Sequence, residues 1–246
     1  MIDPIHYSQI KYMALSPAHF RHACDHPRAD TDAMRVGRAG HAAILTGQSF
    51  PTWEGDRRAG KAWGEFLSAC RGDYVRPAEA AVIHEMCDAI RQHPLARRLC
   101  SEGDSEVSVE WTHAATGLVC AGRLDKRTPE RVCDLKTIKD ISRRSIERAV
   151  IGLHYHVQAA MYLCATGAQD FRWIFVESVP PHCVLIARPT DALIGAGAAL
   201  YDKWMAQVSA CLRSGEWPGP GVDEIEIDVP QWAVDAPALD LDGEPL

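Results

Sequence analysis

Two neighbouring segments near the middle of the chain are rich in apolar residues and look like β-strands. The first covers residues 118–125 (LVCAGRLD) and the second covers residues 131–137 (RVCDLKT). The TPER segment between them supplies turn chemistry, because Pro129 has the backbone angle preferred at the second position of a turn. The pattern therefore predicts a β-hairpin. If its turn centres on the Pro-Glu step, the register places Asp125 directly opposite Asp134.

Three more segments have strand-like patterns and extend the predicted sheet. Residues 105–113 alternate polar and apolar side chains, and a four-residue turn leads from them into the hairpin. This register puts Glu110 opposite Ala121, on the same sheet face as Asp125, so Glu110 is a plausible additional acidic group. Two apolar strands follow later in the chain, at residues 171–177 and 183–187.

Helical periodicity dominates the rest of the chain, apart from residues 1–15, which we expect to form an extended lead-in. Ser16 and Pro17 are typical of a helix start, and Ser142 begins a later helix in the same way. The other predicted helices cover residues 34–47, 57–72, 77–99, 153–167 and 191–213.

These elements predict an α/β fold in which helices flank a central mixed sheet. We expect one domain over residues 1–215, with a helical part at 16–100 and a sheet core at 105–188. Residues 216–246 are acidic and rich in Pro and Gly, which is typical of an arm or a partly disordered tail.

Candidate chemistry concentrates in the hairpin. Facing residues of an antiparallel pair have Cβ atoms roughly 4.5–5.5 Å apart, so Asp125 and Asp134 are close enough to share a divalent cation. Side chains alternate along a strand, so Asp134 and Lys136 share one face while Leu135 points into the core. Carboxylates favour Mg²⁺ or Mn²⁺, and the lysine would orient water or offset phosphate charge. The alternative is an exposed hairpin with ordinary charges.

A polar stripe lies on the predicted helix 153–167. His154, Gln158 and Tyr162 recur every four residues and therefore share one face of an otherwise apolar helix. An amide and a phenol in that position need a polar target inside the protein, or they form the wet edge of a partly exposed helix.

Composition narrows the class of protein. The chain has 246 residues, of which 47% are hydrophobic and 24% charged, as in ordinary globular domains. It has no run of 18 apolar residues, so we expect no membrane span, and its N-terminus does not resemble a secretion signal. Nine cysteines, an odd number in apolar surroundings, favour free thiols in a reducing cytoplasm.

Charge is distributed unevenly along the chain. The net charge is −7, yet residues 216–246 contain nine acidic residues and no Lys or Arg. Residues 1–215 therefore carry 24 acidic and 26 basic residues, so the body is close to neutral. This distribution permits DNA binding without supporting it.

Histidines and a cysteine crowd the first predicted helix, but the spacing does not favour zinc. The residues are His19, His22, Cys24 and His26. Because no second ligand pair follows at a useful distance, we expect a solvated helix end and no zinc.

Taken together, four short motifs resemble those of phage-type recombination exonucleases of the PD-(D/E)xK superfamily. The motifs are Gly40-His41, Gly122-Arg-Leu-Asp125, Asp134-Leu-Lys136-Thr137 and Gln158-x3-Tyr162, in the same order and spacing over roughly residues 10–215. The resemblance is greatest to the exodeoxyribonuclease VIII (RecE-type) group, which is related to lambda exonuclease and to the RecB nuclease domain. It implies a restriction-endonuclease-like core.

The resemblance also implies roles for the matched residues. Metal ligands would be His41, Asp125, Asp134 and the Leu135 carbonyl, with Mg²⁺ as the ion and Mn²⁺ as a substitute. Lys136 would assist the attacking water, and Gln158 and Tyr162 would order the substrate strand or the lysine. Related nucleases with an iron–sulfur cluster need one cysteine near the first helix and three near the C-terminus. Only Cys24 and Cys211 meet these positions, so we expect no cluster.

The activity implied by the resemblance is processive 5′-to-3′ digestion of one strand of linear double-stranded DNA, leaving a 3′ overhang. It further implies a homo-oligomeric ring, a trimer or tetramer, that cooperates with a single-strand annealing protein.

Three other functions are compatible with parts of the sequence. An endonuclease on the same core would cut circular DNA, and a catalytically silent DNA-binding module would not need Asp125, Asp134 and Lys136 together. A small-molecule enzyme that binds phosphate through Gly37–Gly40 is disfavoured, because no strand precedes those glycines.

Overall fold

A mixed six-stranded sheet forms the centre of the computed structural model, which describes residues 4–27, 29–70, 73–221, 224 and 228. The strand order is β1-β3-β4-β5-β6, and β2 pairs with β3 outside this path. The strands are β1 (Ile5–His6), β2 (Asp104–Thr112), β3 (Val119–Arg127), β4 (Arg131–Ile138), β5 (Asp170–Glu177) and β6 (Val184–Ala187). This arrangement confirms the predicted α/β class with a central mixed sheet.

Helices cover both faces of the sheet. They are α1 (Tyr7–Ile10), α2 (Pro17–Asp25), α3 (Asp32–Thr46), α4 (Gly60–Cys70), α5 (Pro77–Gln92), α6 (Pro94–Ser101), α7 (Arg143–Gly152), α8 (Tyr155–Thr166) and α9 (Asp191–Ser214). A 3-10 turn at Lys11–Ala14 follows α1. None of the helices in the described part of the chain is long and apolar enough to span a membrane.

Helix ends agree with the capping signals in the sequence. The Ser16 and Ser142 hydroxyls each accept a hydrogen bond from the backbone N–H three residues later, which confirms both as N-caps. Gly47 and Gly167 end α3 and α8 in the left-handed conformation that glycine adopts without a Cβ clash.

Two predictions about the helical part were wrong. Residues 4–14 do not form an extended lead-in: they fold as β1, α1 and the 3-10 turn, because Ile5, Ile10 and Met13 are buried in the core. The predicted helix 77–99 is divided into α5 and α6 at Pro94, whose ring cannot continue a helix. His93 instead caps α6, and its Nδ1 accepts a hydrogen bond from Ala96 N at 3.1 Å.

Along one edge, β3 pairs first with β1 and then with β4, and we call the point where these two partners separate the fork. The other edge of β3 pairs with β2 along most of its length, so β1 and β4 must share the remaining one. The first half pairs in parallel with β1, Cys120 lying opposite Ile5, and the last two residues pair with β4, Lys126 lying opposite Cys133. Among the described strands, none pairs with residues 122–125 on this edge. Continued by one step, the β3–β4 register sets Asp125 opposite Asp134, as predicted.

The core has two layers, one on each face of the sheet. One layer joins β3 and β5 to α7, α8, α9 and the N-terminal segment, and the other joins β4 and β5 to α3, α5 and α6. Leu135 is fully buried in the second layer, as the alternation predicted. Most of the predicted acidic tail, residues 216–246, lies outside the described residues.

Candidate active site

Three potential metal ligands converge beside the fork in β3. They are His41 from α3, Glu106 from β2 and Asp125 from β3, and each offers a ligand atom within 4.8 Å of the other two. His41 Nδ1 lies 3.5 Å from Asp125 Oδ2. Two carboxylates and an imidazole at this separation are a plausible donor set for one divalent cation.

Asp125 is held in the gap between β3 and β4. Its Oδ2 accepts a hydrogen bond of 2.7 Å from the Leu135 backbone N–H, which β3 does not pair at this point. Burial opposes its charge, yet the His41 imidazole, the Lys136 ammonium and this N–H together hold the pKa of Asp125 below its usual value. In turn, burial opposes charge on His41, but Asp125 raises the pKa of the imidazole.

Glu106 reaches the cluster from an irregular point in β2. Its neighbours Ser105 and Val107 pair with Lys126 and Leu124, so Glu106 stands opposite Asp125 in the register. Its φ of 55° is unusual for a residue with a side chain and interrupts the alternation of the strand. The carboxylate is also fixed by Arg123, whose Nε lies 2.6 Å from Glu106 Oε2 and whose side chain is 61% exposed.

Asp134 and Lys136 form a buried ion pair next to this cluster. Lys136 Nζ lies 2.6 Å from Asp134 Oδ2, so the two side chains share a face, as predicted. Burial, reinforced by the charge of Asp125, raises the pKa of Asp134 to about 6 despite the lysine. Burial disfavours the charged ammonium, but Asp134 and Asp125 raise the pKa of Lys136 and keep it protonated.

Two of the polar side chains predicted on one face of α8 are connected to Lys136 by hydrogen bonds. Lys136 Nζ donates to Gln158 Oε1 at 2.9 Å, and Gln158 Nε2 donates to the Tyr162 hydroxyl at 3.3 Å. Burial, with the charge of Asp134, raises the pKa of Tyr162 to about 12, so its hydroxyl stays protonated. His154, the third member of the stripe, precedes α8 and packs edge-on against Trp204 instead.

A missing side chain on β3 makes room for Tyr162. A Cβ atom on Gly122 would lie 2.7 Å from Tyr162 Cε1, closer than carbon atoms approach without displacement. The glycine in the GRLD motif therefore lets α8 approach the strand that carries Asp125. Two motifs separated by more than 30 residues are thus joined by one contact.

Glu110 was the additional acidic residue predicted for the site. It lies opposite Ala121, as predicted, but four residues from Glu106 along β2. At about 3.3 Å per residue this separation is about 13 Å. The carboxylate beside Asp125 is therefore Glu106 and not Glu110.

The histidine-rich helix has ordinary local contacts. His19 Nδ1 lies 2.7 Å from the Ser16 hydroxyl, and the rings of His22 and His26 stack at 4.4 Å. All nine cysteines are free, and two of them, Cys164 and Cys183, are exposed.

Sequence reasoning missed Glu106, Tyr155 and Tyr7. A signal for Glu106 was available, because the predicted β2–β3 register also sets it opposite Asp125. The ring of Tyr155 lies under Lys136, with Nζ 4.5 Å from its centroid. Burial raises the pKa of Tyr7, and Tyr155 and Asp134 add to the shift, so this N-terminal residue also belongs to the surroundings of the site. No pattern in the sequence indicated either tyrosine.

Solved structures with a similar fold include exonucleases. A candidate exonuclease from Eubacterium rectale matches with a TM-score of 0.66 over 95% of this chain and 93% of that chain, at 13% identity. At this identity the similarity establishes the fold alone. A phage-related exonuclease from Haemophilus somnus 129PT matches over 88% of this chain and 98% of that chain, at 12% identity. Its TM-score of 0.41 is too low to carry an argument.

Sequence comparison agrees with the restriction-endonuclease-like core. No curated protein matches the chain. Residues 6–226, which include every described strand and helix except the first residue of β1, match a family described as a PDDEXK-like domain. This chain therefore belongs to that family, the PDDEXK-like domain of unknown function DUF3799.

Proposed function

We propose that this protein is a metal-dependent deoxyribonuclease that hydrolyses phosphodiester bonds. One observation carries the proposal: the His41–Glu106–Asp125 cluster lies directly beside the buried Asp134–Lys136 pair. Asp125 joins the two, because it belongs to the cluster and accepts a hydrogen bond from the backbone N–H of Leu135, the residue between Asp134 and Lys136. A cluster for a cation next to a fixed ammonium suits phosphodiester hydrolysis, because both positive charges would stabilise the negative charge that develops on the phosphate during attack.

The donor set fits a hard divalent cation. His41, Glu106 and Asp125 would hold it, and Asp134 and the Leu135 carbonyl are the further ligands that the resemblance implies. Carboxylate oxygens, which form two of the three ligands, favour Mg²⁺ or Mn²⁺. When bound, such an ion would polarise the phosphodiester and activate water.

The other residues would act on the phosphate and on one another. Lys136, fixed by Asp134 and Gln158, presents its positive charge where the attacked phosphate would lie. The Gln158 amide bridges Lys136 and Tyr162, and so sets the orientation of both side chains. Asp134 balances the buried lysine charge, which would otherwise be costly to keep in the interior.

The finer activity that we propose is exonuclease digestion of linear double-stranded DNA, in the 5′-to-3′ direction and leaving 3′ overhangs. It is supported by the resemblance of the four motifs to RecE-type exonucleases and by the name of the Eubacterium rectale structure. The same resemblance supports a homo-oligomeric ring and an annealing protein as partner. The near-neutral body, residues 1–215, is compatible with contacts to the DNA backbone.

The proposal is tested with linear duplex DNA labelled separately at its 5′ and 3′ ends, incubated beside a closed circle. Reactions contain Mg²⁺, Mn²⁺ or EDTA, with Asp125→Asn protein as the matched control. We expect one strand of the linear duplex to shorten from its 5′ end with either metal, while the circle stays intact. EDTA and the variant should abolish the reaction.

Other outcomes identify the rival functions. A nicked or linearised circle would indicate an endonuclease on the same core. Shortening from the 3′ end would keep the nuclease and reverse the polarity. DNA binding without cleavage under any metal condition would leave a silent DNA-binding module.

A further inference from the structure

The ammonium group of Lys136 has three close neighbours, and one of them is an aromatic ring. Two are oxygens, Asp134 Oδ2 at 2.6 Å and Gln158 Oε1 at 2.9 Å. The third is the face of Tyr155, whose centroid lies 4.5 Å from Nζ. The lysine side chain is only 16% exposed, so the ring occupies a side from which water would otherwise approach. A cation over a ring is attracted most strongly when it is desolvated.

Tyr155 is itself fixed by the turn before α8. It is the first residue of the helix and follows His154, which has a left-handed backbone with φ of 59°. The residue before that, Leu153, receives a hydrogen bond on its carbonyl oxygen from the Tyr7 hydroxyl. The N-terminal segment therefore contacts the turn that determines where α8 begins.

This contact links the two sides of the site. Residues 5 and 6 pair with β3, the strand that carries Asp125, immediately before Tyr7 leaves the sheet. Tyr7 then reaches α7 and α8 through Leu153. A displacement of this turn would move Tyr155 and, one turn further along α8, Gln158. Both contact Lys136.

From these contacts we infer that Tyr155 is a positioning residue for Lys136, and that Tyr7 positions Tyr155 by holding the Leu153–His154 turn. A lysine side chain has four rotatable bonds, so its ammonium stays in one place only if its surroundings fix it. Without the ring, water would enter and the ammonium would sample other positions. The consequence for catalysis rests on the proposed function, whereas the positioning itself does not.

The positioning is read directly by NMR of the lysine ammonium groups in ¹⁵N-labelled full-length protein. The Lys136 signal is assigned by its loss in Lys136→Met. We expect a slowly exchanging signal that is shifted by the ring current of Tyr155. Tyr155→Phe should retain this signal, because the ring remains, whereas Tyr155→Leu should lose both the shift and the slow exchange. Tyr7→Phe should broaden or move it.

Kinetics on linear duplex DNA give the functional readout. Tyr155→Leu should lower kcat about tenfold with little change in KM, and Tyr155→Phe should recover most of that loss. Tyr7→Phe should lower kcat by a smaller factor. The double variant Tyr7→Phe/Tyr155→Leu should be no slower than Tyr155→Leu alone, because Tyr7 acts through Tyr155. Tyr12→Phe, in the same N-terminal segment, is the matched control and should leave kcat unchanged.

Several results would overturn the inference. They are an unchanged Lys136 signal in Tyr155→Leu, a Tyr155→Phe protein that behaves like Tyr155→Leu, or additive effects in the double variant. Loss of Mn²⁺ binding in Tyr155→Leu, measured by calorimetric titration beside the wild type, would also contradict it, because the ring would then act on the metal cluster. A wild-type protein that cleaves no DNA but shows the expected NMR pattern would refute the proposed function alone.

Discussion

The Asp125 carboxylate accepts a hydrogen bond from the Leu135 N–H at 2.7 Å, across the gap where β3 and β4 diverge. The side chain of Asp125 thus takes the place of a backbone acceptor, because β3 offers no carbonyl to the Leu135 N–H at this point. The same oxygen lies 3.5 Å from His41 Nδ1. Asp125 Oδ2 thus contacts both the Leu135 N–H at the fork in the sheet and the His41 imidazole of the candidate metal centre.

The first prediction separates the two glutamates of β2. Glu106→Gln should weaken Mn²⁺ binding by more than the roughly 10- to 100-fold that loss of an outer-shell partner costs, because a direct ligand loses its charge in a cluster of three. Glu110→Gln is the matched control in the same strand and should bind Mn²⁺ like the wild type. Calorimetric titration of each protein with Mn²⁺ measures the difference. Weaker binding only in Glu110→Gln would favour the alternating pattern of the sequence over the cluster in the structure.

The second prediction concerns the buried pair of Asp134 and Lys136. Asp134→Ala should destroy nuclease activity and also cost about 3–5 kcal/mol of unfolding free energy, because it leaves a buried ammonium without its counter-charge. Asp134→Ala/Lys136→Met should recover most of the stability but none of the activity. Urea unfolding and cleavage assays measure the two effects separately.

A control for the second prediction comes from an exposed ion pair. Arg143 Nε and Glu147 Oε1 lie 2.7 Å apart on the surface of α7, and Glu147→Ala should unfold at the same urea concentration as the wild type. If Asp134→Ala unfolds at the same urea concentration as the wild type, the pair is not buried as described. If it still cleaves DNA, the site assignment is wrong.

The third prediction tests the contact between the GRLD strand and α8. Gly122→Ala should displace the Tyr162 ring, reduce activity and cost about 1–3 kcal/mol, because the added methyl has no space. Gly64→Ala is the control: it lies in the exposed part of α4 with nothing within 4 Å of the added Cβ. That substitution should be neutral or slightly stabilising. The stability of both variants is measured by thermal unfolding. Equal stability of Gly122→Ala and Gly64→Ala would contradict the close approach of Tyr162 to Gly122.

The fourth prediction uses the cysteines as reporters of burial. A maleimide should label Cys164 and Cys183 rapidly in the folded protein, because both are exposed. Burial raises the pKa of Cys100 to about 11 and that of Cys133 to about 12, so both remain thiols at neutral pH. Intact mass should show two fast labels in the native protein and nine after denaturation. Fast labelling of Cys133 would contradict its burial in β4.

Local signals were sufficient for much of the site. Asp134, Leu135 and Lys136 follow from strand alternation, and Gln158 and Tyr162 follow from helical spacing. Each of these residues could be predicted from neighbours a few positions away in its own element or in the adjoining strand. Glu106 was within reach of the same reasoning, because the predicted β2–β3 register sets it opposite Asp125. Its left-handed backbone, in contrast, has no signal in the alternation of the strand.

Long-range packing accounts for what the sequence did not predict. The N-terminal segment has no clear period, and only its burial against β3 and α2 makes it a strand and a helix. Such features follow from the environment that the whole fold creates, and a short window of residues does not contain it.

The pairing of β1 with β3 also has a consequence for how the protein folds. It joins residues more than a hundred positions apart in parallel, and such contacts form slowly because the intervening chain must first close into a large loop. Residues 5 and 6 can therefore dock, and bring Tyr7 to α8, only after β3 has formed. The pairing of β2, β3 and β4 joins segments close in sequence and can form earlier, so the contacts around Tyr7 complete the surroundings of the candidate site after that part of the sheet.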